Sequence, residues 1–442
     1  MLRHLLKFQS TNITASNVFV QFVGVISIPV LSRLYTVEEF SLLAFFTSSV
    51  AVMTALLTLR IEAAIPLAEK VFDARRLLIS AFILTSVVSI IILLIRWISA
   101  SFLENGQVLS ANIGTISALL PFGLLLSGFS SSILFFLIRE RRYTTIAKLK
   151  SFQVLFCIVV QLGLGILSFG VLGLTAGVIV SFIVPSIYFL YCRVLKDFEV
   201  WQPTLNLNAL KIINNYKSFP LYSAPEKLIS DLSLNLPLII IAVFYEPTLA
   251  GLIFLALKVA SFPLNTIGNS AGSVFTSRCA EFIRNGEAKT KVSEIINSLL
   301  FFGLLPLSFS LYFAEGLFAF ILGNNWSDAG FYLCLLFPGI VYQTIFSPIS
   351  HIFYASGENK KFLLLSILSL ILRVSPLIIF IGSKDLFGLY FFFLGTFLSY
   401  CVFLIFTLRL CGSTYREVFF INLRIMALSS AAPLATYLIL RI

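Results

Sequence analysis

The sequence predicts an all-α integral membrane protein. Its two six-helix lobes are related by a pseudo-twofold axis along the membrane normal, giving about twelve transmembrane helices plus a short C-terminal candidate. Three observations predict this. The 442-residue chain is 59% hydrophobic and only 12% charged, whereas a soluble domain is nearer a quarter charged. Apolar runs of about 20 residues recur along the whole length, each long enough to cross a ~30 Å hydrocarbon core. Landmarks in the two halves repeat at spacings of 210 and 215 residues. A transmembrane barrel would show alternating segments of ~10 residues instead.

Taken in order, the expected spans are 13–34, 40–64, 77–98, 113–138, 152–169, 172–192, 219–244, 249–271, 295–315, 329–354, 362–382 and 387–408, with a weaker candidate at 418–440. The N-terminal stretch MLRHLLKFQSTNITASNVFVQFVGVISIPVLSRLY is basic and then apolar. Its apolar part is too long for a signal core and no A-x-A-like site follows, so it is expected to be the first span.

With a cytoplasmic N-terminus, the inside segments hold 23 Lys and Arg residues and the outside holds four, Arg33, Arg96, Lys384 and Arg441. That bias fits the positive-inside rule, and the reverse topology would invert it. The net charge of +11 is therefore explained by topology and does not call for nucleic acid. The six cysteines are scattered without a CxxC pair, and there are only two histidines. Neither a disulfide framework nor a metal site is expected.

The longest connection, about 193–218, is polar and contains Pro203. It follows six spans and precedes six more. The expected division is 1–200 for the N-terminal lobe, 201–412 for the C-terminal lobe and 413–442 for an amphipathic or thirteenth helix. Tyr35 and Tyr245 both lie between the first two spans of their half, 210 residues apart. Gly173 and Gly388 both lie at the tight turn before the sixth span, 215 residues apart. Phe136 and Phe353 occupy similar places before the cytoplasmic loop that follows the fourth. An even number of spans per half gives both halves the same orientation, hence parallel repeats.

Polar groups enter the apolar segments in a pattern. In the seventh span Ser223, Lys227, Asp231 and Asn235 are spaced four apart and share one helix face, with Glu226 beside them. At the 210-residue offset, Lys227 and Asp231 correspond to Asn17 and Gln21 of the first span. The eighth span carries Lys258, Ser261, Asn265 and Asn269 at helical spacing. Lipid satisfies none of these groups, so they must face one another or water.

Asp231 lies about 18 Å into its span at ~1.5 Å per residue. Lys258 and Arg373 are similarly deep, while Arg60 and Glu62 lie toward the cytoplasmic end of the second span. A central charge costs at least ~2.5 kcal/mol on insertion scales. Two uses of these charges stay open: Lys227 and Asp231 can simply neutralise each other, or the cations can serve a ligand. Arg60, Lys227, Lys258 and Arg373 outnumber the acids Glu62, Glu226 and Asp231, which suits an anionic ligand and phosphate oxygens above all. Proline punctuates most spans and can kink them.

No GxxxxGK[ST] phosphate loop occurs, so ATP hydrolysis by this chain is not expected. No extramembrane segment is long enough for a catalytic domain, so the chain is expected not to be an enzyme.

Several stretches carry a family resemblance. They are LSRLYTVEEFSLLAFF after the first span, LRIEAAIPLAEK at the end of the second, and NNYKSFPLYSAPEKLISDLSLNLPLIIIAVF with LKVASFPLNTIGNSAGSVF in the seventh and eighth. The last is ILGNNWSDAGFYLCLLFPGIVYQTIFSPISHIFYASGENK around the tenth. The chain resembles bacterial polysaccharide flippases that move O-antigen or similar lipid-linked repeat units. They belong to the multidrug/oligosaccharidyl-lipid/polysaccharide exporter superfamily. Ser41 departs from the glycine common in that family.

The resemblance implies two six-helix lobes around a central cavity in the bacterial inner membrane. It implies transport of an undecaprenyl-pyrophosphate-linked oligosaccharide toward the periplasm, driven by an H+ or Na+ gradient, without a bound cofactor. A polysaccharide polymerase and a chain-length regulator are the implied protein partners. Arg60, Lys227, Lys258 and Arg373 are the candidate substrate-binding cations. Glu62, Glu226, Asp231, Asn17, Gln21, Asn235, Asn265 and Asn269 are the candidate coupling or polar cavity residues. A multidrug or lipid II exporter of the same fold is the main alternative. A membrane polymerase or glycosyltransferase is a further one, disfavoured by the short outside loops.

Overall fold

The computed structural model describes residues 2–103, 111–195, 212–217, 219–300, 308, 311–350, 352–382 and 386–440. By its internal contacts the chain divides into two compact units, Met1–Ile239 and Ile240–Ile442. Most of the connection expected to separate the lobes, 196–211, lies outside the described residues.

The first unit opens with α1 (Leu2–Leu34) and α2 (Val37–Leu57). Thr36 starts α2 with a capping box: its hydroxyl accepts from Glu39 N, and Glu39 Oε2 accepts from Thr36 N at 2.8 Å. This satisfies two amide donors that a helix start leaves without intrahelical partners. Then come a 3-10 segment (Ile61–Leu67), α3 (Val71–Leu103), α4 (Ala111–Arg139), α5 (Tyr143–Ile166) and α6 (Val171–Leu195). A π-type turn, Phe219–Ser223, leads into α7 (Ala224–Phe244).

The remaining helices are α8 (Leu249–Arg284), α9 (Ala288–Leu299), α10 (Ala314–Leu322), α11 (Ser327–Ile349), α12 (Asn359–Ile379), α13 (Phe387–Leu410) and α14 (Tyr415–Leu440). Among the described residues, nine helices are long and apolar enough to cross a bilayer, and Val18–Leu34 and Leu249–Ala260 are shorter apolar stretches. The outer side of α3 leaves Ile90, Leu94, Ile95 and Trp97 exposed. That is how a helix bathed in hydrocarbon looks, since lipid solvates apolar side chains without penalty. The protein is a multi-pass membrane protein.

Two expectations change. The second helix stops at Leu57 and not near 64, because Leu59 and Arg60 take left-handed backbone angles (φ 49° and 60°) and the chain turns into the 3-10 segment. The expected ninth span, 295–315, falls largely on 301–307, 309 and 310, outside the described residues.

Within each unit the fourth helix of the half is central. In the first, α4 packs on α2, α3 and α6, and α5 packs on α6 and α1. In the second, α11 packs on α8, α10 and α13, and α12 packs on α13. The repeated landmarks do the same job in both. Tyr35 donates its hydroxyl to Gln161 O at 2.6 Å, and a Cβ on Gly173 would meet that hydroxyl oxygen at 2.6 Å. Tyr245 donates to Leu377 O at 2.9 Å, and a Cβ on Gly388 would meet its hydroxyl oxygen at 2.3 Å. Glycine is required at both positions by close approach.

Candidate functional site

The charged residues of the first unit gather where α2 ends. Thr58 closes the helix, and two consecutive left-handed residues follow, neither of them glycine. For a residue with a Cβ each such angle costs on the order of 1–3 kcal/mol and persists only where surroundings enforce it. The enforcement is visible. Ile61, Ala64 and Ile65 are wholly buried against Leu77, Leu78, Phe136 and Ile212. Arg139 of α4 donates from Nε and Nη2 to Ala68 O at 3.2 and 2.9 Å, pinning the far end of the segment.

The turn swings Glu62 inward. Its side chain is 3% exposed, while that of Arg60 is 29% exposed, and Arg60 Nη1 lies 3.8 Å from Glu62 Oε1. The Thr58 hydroxyl donates to Glu62 Oε2. Arg60 Nε is buried with no hydrogen-bond acceptor among the described residues. A buried carboxylate needs such partners, because stripping it of water costs several kcal/mol.

The 3-10 segment also packs on Phe219–Ser223, the entry to α7. One turn later Lys227 forms an ion pair with Asp231, and Asn235 donates to Asp231 O at 3.1 Å. Lys227 is 40% exposed and Asp231 9%. Glu62 is within electrostatic reach of both Arg60 and Lys227. The structure thus brings four sequence-nominated residues together: Arg60, Glu62, Lys227 and Asp231, with Asn235 braced behind them. The two cations reach solvent; the two carboxylates do not.

Glu226 and Gln21 are half-buried on α7 and α1. Asn17 lies on α1, and Asn265 and Asn269 on α8, where the structure does not describe their side chains. In the second unit Lys258 is exposed with its ammonium 4.8 Å from the Phe254 ring centre. Arg373 was expected as a cavity cation, but it is only 4% exposed and its guanidinium lies 4.6 Å from the Tyr400 ring centre. It sits on α12 against Tyr400 of α13. Thr58 and Arg139 were missed by sequence reasoning. Thr58 could have been found, since it precedes Glu62 by four residues in TLRIE; the left-handed pair leaves no such signal.

Comparison with solved structures places the fold. The chain is similar to "Lipid II flippase MurJ, inward closed conformation", with TM-score 0.70 and 14% identity, covering 97% of this chain and 98% of that one. It is similar to an outward-facing multidrug resistance MATE family transporter of the MOP superfamily, with TM-score 0.58, 17% identity and coverage of 95% and 96%. A MOP superfamily transporter from Pyrococcus furiosus matches with TM-score 0.55, 16% identity and the same coverage. At these identities the likeness establishes the transporter fold. No curated protein matches in sequence. A family model described as "Polysaccharide biosynthesis protein" matches residues 30–330. That stretch holds α2 to α6, the charged cluster at the end of α2 and all of α7, and the chain belongs to the polysaccharide biosynthesis protein family.

Proposed function

We propose that this protein is a flippase that carries undecaprenyl-pyrophosphate-linked oligosaccharide repeat units across the bacterial cytoplasmic membrane. It would supply O-antigen or another surface polysaccharide, with the N-terminus on the cytoplasmic side. The observation that carries the reading is the polysaccharide-biosynthesis family match together with a transporter fold over nearly the whole chain. The charged cluster supports it. Arg60 and Lys227 keep part of their charge open to solvent, as contacts to diphosphate oxygens require. Glu62, Glu226 and Asp231 are the carboxylates proposed to couple transport to H+ or Na+. Transport is the proposed activity, not catalysis of a covalent step.

The test is complementation of a strain lacking its polysaccharide flippase. The wild-type chain restores surface glycan, and Arg60→Ala and Lys227→Ala at equal protein level restore at most about a tenth of it, the loss of one charge-assisted contact of ~1.5–3 kcal/mol. Absence of surface glycan with the wild-type chain, across strains of different repeat unit, would sink the proposal. A second reading, lipid II export, is favoured by the similarity to the lipid II flippase. It is separated by depleting the host's own lipid II flippase: rescue of growth supports lipid II, and lysis supports the polysaccharide substrate.

A further inference from the structure

Arg60 and Lys227 are held from behind by carboxylates and open to solvent in front. The two carboxylates are not held alike. Asp231 is one helical turn from Lys227 on the same face of α7 and pairs with it directly. Glu62 is anchored chiefly by the Thr58 hydroxyl, and its contact with Arg60, at 3.8 Å, is long for an ion pair. Arg60 keeps a buried Nε donor unused among the described residues. A phosphate group offers several oxygens to the guanidinium fork and satisfies two donors at once, which a distant carboxylate oxygen does not.

We propose that Glu62 is a built-in competitor for the anionic headgroup: it neutralises Arg60 while no headgroup is bound, as Asp231 does Lys227, and the headgroup displaces it. This rests on the reading of Arg60 and Lys227 as headgroup contacts. Once the diphosphate takes the cations, Glu62 is left 3% exposed on a segment whose Ile61, Ala64 and Ile65 pack in an apolar core. A buried carboxylate without a cation is costly, and the group is discharged by a proton from solvent. The Thr58 hydroxyl can serve either form, since it both donates and accepts. Headgroup binding therefore takes up a proton at Glu62.

The surroundings leave Glu62 as the group that responds. The charge nearest to it is Arg60, and on α7 Lys227 is paired with Asp231, with Glu226 beside it. Of the elements packed on its segment, α4 contributes Arg139, committed to the Ala68 and Glu69 carbonyls. The start of α3 contributes Asp73, Arg75 and Arg76. The turns Ile212–Tyr216 and Phe219–Ser223 bring only the phenols of Tyr216 and Tyr222.

The experiment is isothermal calorimetry on the purified full-length protein in detergent, with UDP-glucose as the probe. It is a water-soluble diphosphate diester carrying a sugar, and its phosphates do not titrate near neutral pH. Titrations run in two buffers of different ionisation heat, which counts protons taken up on binding. Wild type is expected to take up close to one proton. Glu62→Gln is expected to bind about tenfold tighter and to take up none.

Equal or weaker binding by Glu62→Gln overturns the proposal, as does absence of binding by both proteins. If Glu62→Gln does not fold, the wild-type proton count decides alone, and no uptake overturns it. Arg60→Gln and Lys227→Gln probe the underlying reading separately. If both bind UDP-glucose as wild type does, the cations are not the headgroup site, whatever the proton count at Glu62.

Discussion

Charged residues in this chain divide by what their surroundings allow. Arg373 is 4% exposed and lies over the Tyr400 ring. Arg373→Ala is therefore expected to lower the thermal midpoint in detergent by the equivalent of about 3 kcal/mol, since it removes both packing and a buried charge's setting. Any loss of glycan export should track the loss of folded protein, measured by membrane-fraction immunoblot. Arg60→Ala is expected to do the opposite, lowering export at normal protein level. Arg141 illustrates a different residue-scale effect. It is exposed in the turn between α4 and α5 at φ 58°, closing α4 with a bond from Arg142 N to Leu137 O at 3.0 Å. Glycine adopts that angle freely, so Arg141→Gly should raise the thermal midpoint by the equivalent of ~1 kcal/mol. An unchanged or lower midpoint would show that the turn bears no strain.

Helix joints repeat between the units. Tyr35→Phe and Tyr245→Phe each leave a carbonyl, Gln161 O or Leu377 O, without its tyrosine donor. Each change should cost about 1 kcal/mol. Gly173→Ala and Gly388→Ala should cost more, because the new methyl would lie within 2.6 Å and 2.3 Å of the tyrosine oxygens. These pairs were legible in the sequence, since a tyrosine and a glycine recur in both halves, 210 and 215 residues apart. The Lys227–Asp231 pair was legible too, because four residues make one helical turn. The end of α2 was not. Ile61, Ala64 and Ile65 are as apolar as the helix before them, and hydropathy does not register a change of backbone angle. Nor was the burial of Arg373, for a central arginine reads the same in sequence whether it lines water or packs on a ring.

The docking of α14 yields a pH prediction at this same scale. Glu417 caps α14 through Thr414 and bonds Lys289 of α9 at 2.8 Å. The Lys289 ammonium holds the Glu417 carboxyl down to about 2, below the ~4.3 of an unfolded chain. A depressed folded value stabilises fully above pH ~4.3, and the gain is lost as pH falls toward about 2. Wild type should lose thermal stability across that window more than Glu417→Gln does. The difference should be small and shrink with added salt, because the pair is exposed.

At the scale of the whole molecule, the distribution of lysine and arginine supports the proposed orientation. A reporter active only in the cytoplasm should light up when fused after Arg142 and stay dark when fused after Arg96; the reverse pattern would invert the proposed topology. The same orientation gives α8 a particular consequence. Its 36 residues make a rod of about 54 Å, against ~30 Å of hydrocarbon, so roughly 24 Å of it projects beyond the apolar layer. That projection is a lever arm. A 10° change of tilt in the membrane swings its tip by about 4 Å. The tip is short-coupled through the Asn285–Gly286 turn to α9, and α9 is tied to α14 by Lys289–Glu417 and by Arg424 on Asn297 at 3.0 Å. A small inclination deep in the bilayer is thus geared up into a displacement that the C-terminal helix must follow.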